Sequence, residues 1–112
     1  MKYNGIVQKG HQIGETFGFP TINIPLEDVH ISGVYIARVK VGDEEYDAVA
    51  FGDQRRKLLE AHLLDFSADL YGWNVHIELL QKIRDRKKFS DAEDLRSAIQ
   101  ADIKKARAYF TK

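Results

Sequence analysis

The chain contains no cysteine, which excludes disulfides, thiolate nucleophiles and Cys-ligated zinc. It has two prolines, Pro20 and Pro25, both early, and one tryptophan. It lacks net charge: 17 Lys and Arg balance 17 Asp and Glu. Binding nucleic acid by bulk electrostatics usually needs a basic surplus, and a membrane surface a polybasic tract, so neither partner is expected. No apolar run approaches the roughly 20 residues of a membrane helix. The opening Met1-Lys2-Tyr3-Asn4-Gly5 has no apolar stretch of the secretory kind. These absences predict a cytoplasmic protein. What remains is 112 residues, 44% of them hydrophobic, with no linker or repeat. That length predicts one domain, 1–112, able to bury an ordinary core.

The patterning is mostly of period two. Tyr3 to Val7 reads as a short strand and Thr21 to Ile24 as another. From Gly33 to Val41, Tyr35, Ala37, Val39 and Val41 share one face. Gly42-Asp43 is a hairpin turn, and Tyr46 to Phe51 returns. A polar loop from Gly52 to Leu59 leads to a strand from Glu60 to Phe66. Trp73, Val75, Ile77 and Leu79 then alternate with polar residues. The period changes at the end: Leu95, Ile99, Ile103, Ala106 and Phe110 mark one helix face. Ser90 with Glu93 forms a capping box before it. Strands without intervening helices predict antiparallel pairing, and so small a sheet best protects its edges by closing. The expected architecture is a barrel over about 2–83 with a helix over about 90–110 packed outside.

Gly10, Gly14 and Gly18 lie in one loop, where bare backbone amides can cup an anion or simply turn. Thr21 and Asn23 are two apart on an extended stretch and point the same way. Their oxygens suit Mg²⁺, which shares its shell with phosphates and water, or they satisfy local backbone groups. His11, His30, His62 and His76 show no metal-ligand spacing. Tyr71 and Trp73 fit stacking on a ring ligand and core packing equally. Arg55-Arg56-Lys57 reads as a solvated loop face or as part of a site.

One series of segments runs Gly5-Ile6-Val7, Gly10, Gly14, Gly18-Phe19-Pro20-Thr21-Ile22-Asn23, Gly33-Val34-Tyr35, Glu60-Ala61-His62-Leu63-Leu64-Asp65-Phe66 and Asp69-Leu70-Tyr71-Gly72. Ile83-Arg84, Lys88-Phe89-Ser90 and Asp102 continue it. In this order the segments resemble riboflavin kinase (flavokinase). The resemblance implies a closed six-stranded antiparallel Greek-key barrel with a C-terminal helix. It implies transfer of the ATP γ-phosphoryl group to the 5′-hydroxyl of riboflavin, giving FMN and ADP. Residue by residue, Glu60 matches the catalytic base, and Thr21 and Asn23 match the Mg²⁺–nucleotide ligands. Gly10, Gly14 and Gly18 match the phosphate loop, and Arg84 and Phe89 sit where the flavin approaches. A carboxylate at the mouth of a barrel strand suits the base.

Three departures stand out: Glu15 where a cation is usual, Ile22 where alanine is usual, and a short loop from Gly52 to Glu60. Either one of the loop arginines replaces the missing cation, or the basic loop is solvated. A non-catalytic flavin- or nucleotide-binding module of the same fold is the alternative reading. A monomer is expected, and FAD synthesis is not.

Overall fold

The computed structural model describes residues 1–8 and 19–111. Six strands, β1 (Lys2–Ile6), β2 (Ile22–Pro25), β3 (Gly33–Val41), β4 (Glu44–Asp53), β5 (Leu58–Leu63) and β6 (Asn74–Arg84), precede one helix, α1 (Ala92–Phe110). The strands form a single antiparallel sheet in the order β1-β6-β3-β4-β5-β2. Its two edges curl toward each other. The Gln8 amide donates to the Asn23 carbonyl at 2.8 Å, an isolated bridge that nearly closes the barrel. This is the mainly β, six-stranded barrel with one C-terminal helix that the sequence predicts.

Alternation decides what goes inside. Tyr35, Ala37 and Val39 of β3 meet Leu59 of β5 and Val75 and Ile77 of β6 in the barrel interior. Each large aliphatic side chain buried there contributes about 1.5–3 kcal/mol. The outward residues Val34 and Ile36 of β3 are buried too, on the side where α1 packs. Ile36, Leu64 and Ala106 form a second cluster outside the barrel, joined by Val49, Ile83, Ile103 and Phe110.

The structure corrects several boundaries. α1 is capped by Asp91, whose Oδ1 accepts the Asp94 amide at 2.8 Å, not by Ser90 with Glu93. The helix starts one residue later than expected, and the short Asp side chain reaches the third helical amide. Ser90 instead donates its hydroxyl to the Asp94 carboxylate at 3.1 Å. β5 begins at Leu58 and stops at Leu63, because Asp65 turns the chain with φ +60°. The loop from Gly52 shrinks to the turn 54–57. Trp73 precedes β6 and is 55% exposed, so it does not share the inward face of Val75.

β6 also runs past Leu79 to Arg84. Its partners on Ala37–Val41 keep one register, which carried on unchanged would set Lys82 opposite Val34. Two register shifts, flanking Tyr35–Ile36, set Arg84 there instead. Bulges of this kind re-aim side chains near functional sites. Gly33 permits the arrangement. Its φ is +92°, and a Cβ there would lie 2.5 Å from the Arg84 carbonyl oxygen. Gly42, the first residue of the β3–β4 turn, has φ +61° but open space around it. Gly33→Ala should therefore cost about 2–5 kcal/mol, from backbone strain plus collision. Gly42→Ala should cost only about 1–2 kcal/mol, from strain alone. Urea melts of the two variants check the difference.

Candidate active site

One line of cross-strand partners crosses the barrel wall: Arg84 on β6, Val34 on β3, Phe51 on β4, Glu60 on β5 and Asn23 on β2. Directly paired residues share a face. Leu59 and Ala61, on either side of Glu60, belong to the interior, so the line faces outward. At about 4.8 Å per strand it spans about 19 Å from Arg84 to Asn23. The expected place for Glu60 was the barrel mouth. It lies on the outer wall, because its position in β5 has the opposite parity to the core residues.

Val34, Phe51, Glu60 and Arg84 of this line form the floor of a cleft of about 270 Å³. Leu95 and Ile99 of α1 and Phe89 before it form the opposite wall. The floor is apolar in the middle and polar at both ends. Phe89 is thus part of the cleft rather than of the core.

At the carboxylate end, the Thr21 hydroxyl donates to Glu60 Oε1 at 3.5 Å. Burial pushes the Glu60 carboxyl above the usual range, and the Asp53 charge adds to this. The Arg56 charge and the Thr21 hydroxyl oppose it. Asn23 is fully buried, yet neither its Oδ1 nor its Nδ2 has a hydrogen-bond partner among the described residues. His62 holds the approach to β2. Its Nδ1 lies 2.7 Å from the Pro20 carbonyl oxygen, which can only accept, so Nδ1 carries the proton. This bond extends the β2–β5 pairing past its last partners, Ile22 and Ala61, and so fixes Thr21 beside Glu60.

Asp53 was not singled out by sequence reasoning. It ends β4 on the outward face, is 5% exposed, and accepts the amides of Arg55 and Arg56 at 3.0 and 3.2 Å. The available signal was parity: Val49, Phe51 and Asp53 are two apart on one strand.

At the opposite end, Arg84 makes a two-pronged pair with Asp102 of α1, Nε to Oδ1 at 2.9 Å and NH2 to Oδ2 at 2.8 Å. Its guanidinium carbon sits 5.6 Å from the Phe89 ring centroid. Arg84 therefore lines the cleft with its outer donors already engaged. Tyr71 and Trp73 are exposed and do not line this cleft. Gly10, Gly14, Gly18 and Glu15 lie outside the described residues.

Comparison with known proteins fits this geometry. The family model described as riboflavin kinase matches residues 1–110. A bifunctional riboflavin kinase/FMN adenylyltransferase of Haemophilus influenzae is 40% identical, over 95% of this chain and 37% of that protein. The Escherichia coli K12 protein of the same description is 36% identical, over 96% of this chain and 37% of its own length. This chain thus spans less than two-fifths of those relatives. The crystal structure of riboflavin kinase from Trypanosoma brucei superposes with a TM-score of 0.74 at 25% identity, covering 99% of this chain and 77% of that one. A Streptococcus pneumoniae structure described as a macrolide-efflux protein superposes with a TM-score of 0.82 at 30% identity, over 95% of this chain and 38% of that one. The match over nearly the whole chain, on the barrel that carries Glu60, Thr21 and Asn23, makes this chain a member of the riboflavin kinase family.

Proposed function

We propose that the chain transfers the γ-phosphoryl group of ATP to the 5′-hydroxyl of riboflavin, giving FMN, with Glu60 as the base. The observation that carries this reading is the outward line of residues. A flat ring system suits the apolar stretch of Val34 and Phe51, and a polyol tail running along the line reaches Glu60 and Thr21. Glu60 takes the hydroxyl proton as the oxygen attacks phosphorus. Thr21 orients the carboxylate. The α1 side of the cleft excludes water from the ring.

Asn23 fits a divalent cation carried by the nucleotide. A buried amide without partners is costly, by about 1–3 kcal/mol, and persists where a ligand completes it. Thr21 and Asn23 would hold the ion, with Mg²⁺ the best match to two neutral oxygens beside phosphates. When bound it would neutralise phosphate charge. Among the described residues no cluster of three or more His, Asp or Glu could hold a metal unaided. A cytoplasmic monomer is part of this proposal. No helix among the described residues is long and apolar enough to cross a membrane.

A product assay with riboflavin, ATP and Mg²⁺, reading FMN by chromatography, tests the reaction. Flavin binding without turnover would instead support the non-catalytic module. In Glu60→Gln, kcat should fall about 10²–10⁴-fold with riboflavin affinity little changed. Because the ionised form is the base and its pKa is raised, kcat should fall with acidification at a pH above the ordinary glutamate range. The same shift has a stability sign. A carboxyl whose pKa rises on folding favours the fold fully below its unfolded pKa, and that contribution is lost as pH rises through the folded value. Glu60→Gln should accordingly be more stable than wild type at pH 7, which melts at pH 4 and pH 7 check.

Asn23→Leu offers a second test. It replaces polar atoms that have no partner among the described residues by an apolar group of similar volume. The free protein should gain about 1–3 kcal/mol, while stabilisation by Mg–ADP should disappear. Thermal melts with and without Mg–ADP read both effects. Unchanged Mg–ADP stabilisation would make Asn23 purely structural.

A further inference from the structure

We infer that the Arg56 guanidinium is a catalytic residue that takes up the charge of the transferring phosphoryl group, an assignment that rests on the kinase reading above. Among the described residues three arginines face an aspartate, and they differ in what they have left to offer. Arg84 and Arg107 each spend two donors in two-pronged pairs, with Asp102 and Asp65. The Arg56 guanidinium comes no closer to Asp53 than 3.8 Å and makes no hydrogen bond to any described residue. No described residue takes any of its five N–H donors, which form a planar fork that matches phosphate oxygens.

The backbone that carries the fork is held in place. Asp53 ties the turn 54–57 through the amides of Arg55 and Arg56, and its second oxygen faces the Arg56 side chain. Arg56 lines the cleft together with Glu60 and Thr21. Its charge acts on the Glu60 carboxyl, pulling against the upward push of burial. Arg86 and Lys87 line the same cleft, but the two chain neighbours of Arg56 do not. Arg55 lines a separate depression with Arg86 and Lys88, and Lys57 is an exposed residue with φ +55°. A structural role for Arg56 as the partner of Asp53 explains less, because a loose, partly exposed pair is worth little.

The chemistry asks for a cation at this spot. A bond forms from the attacking hydroxyl oxygen to phosphorus, the bond from phosphorus to the leaving nucleotide oxygen breaks, and the hydroxyl proton passes to Glu60. Negative charge spreads over the equatorial and leaving oxygens. An ionised Glu60 beside them is repulsive, and a guanidinium on the same wall offsets it. Arginines supplied to phosphoryl transfer are worth about 10³–10⁵ in kcat when desolvated. The Arg56 side chain is 36% exposed, so a smaller effect is expected here.

The experiment is steady-state kinetics of wild type, Arg56→Ala, Arg56→Lys and Arg55→Ala with riboflavin, ATP and Mg²⁺, beside flavin binding by fluorescence. Arg56→Ala should lower kcat about 10²-fold and leave riboflavin affinity within about twofold. Arg56→Lys should recover part of the loss, because it restores the charge without the fork. Millimolar guanidinium should rescue Arg56→Ala alone. Arg55→Ala should stay within about twofold of wild-type kcat. An active wild type matched in kcat by Arg56→Ala overturns this inference and leaves the kinase reading intact. A rise in the KM for ATP with kcat unchanged also overturns it, because that marks ground-state binding. A wild type that makes no FMN overturns the kinase reading and this inference with it.

Discussion

Hydrogen-bond register in the barrel sets one residue from each of five strands in a line, and the proposed chemistry depends on that line. Arg84, Val34, Phe51, Glu60 and Asn23 are brought together by ladder pairing. A slip of one residue in β5 would turn Leu59 and Ala61 outward and Glu60 into the apolar interior. The core therefore protects the site. The burial of Leu59, Val75 and Ile77 that stabilises the barrel is the same force that holds Glu60 on its outer face.

The helix makes a cleft out of what would otherwise be an open barrel wall. α1 rests on Ile36, Val49 and Ile83, and the Arg84–Asp102 pair pins the end of β6 to it. Asp102 is 4% exposed, so loss of its partner would strand a buried charge, a cost of about 3–5 kcal/mol when fully desolvated. Arg84 is partly exposed, which reduces that figure. The two shifts in the β3–β6 register connect fold to site, because they carry Arg84 to the end of the line and opposite the helix.

The carboxylate end of the cleft works against stability. Glu60 is held where burial and Asp53 oppose its ionisation. Asn23 is buried without partners among the described residues. Sites arranged for a ligand commonly carry such costs, which the rest of the fold offsets. In this barrel the offset comes from a buried, mostly aliphatic cluster that includes Ile24, Leu26, Leu59 and Ile77.

Much of this was legible in the sequence, for a physical reason. Alternation in Gly33–Val41 and in Val75–Leu79 is local, and so is the period of Leu95, Ile99 and Ile103. These patterns determined the strands, the helix and the inward faces. Glu60, Thr21 and Asn23 stood in motifs short enough to recognise by eye. Only the tertiary structure decided what faces them. Asp53 and Arg56 gain meaning from a tight turn beside Glu60, and Arg84 from two bulges that no local pattern announces. α1 begins at Ala92, so Asp91 and not Ser90 stands at the cap position. Periodicity is a property of neighbours along the chain. Register, bulges and ion pairing are properties of neighbours across it, and those exist only once the barrel has closed.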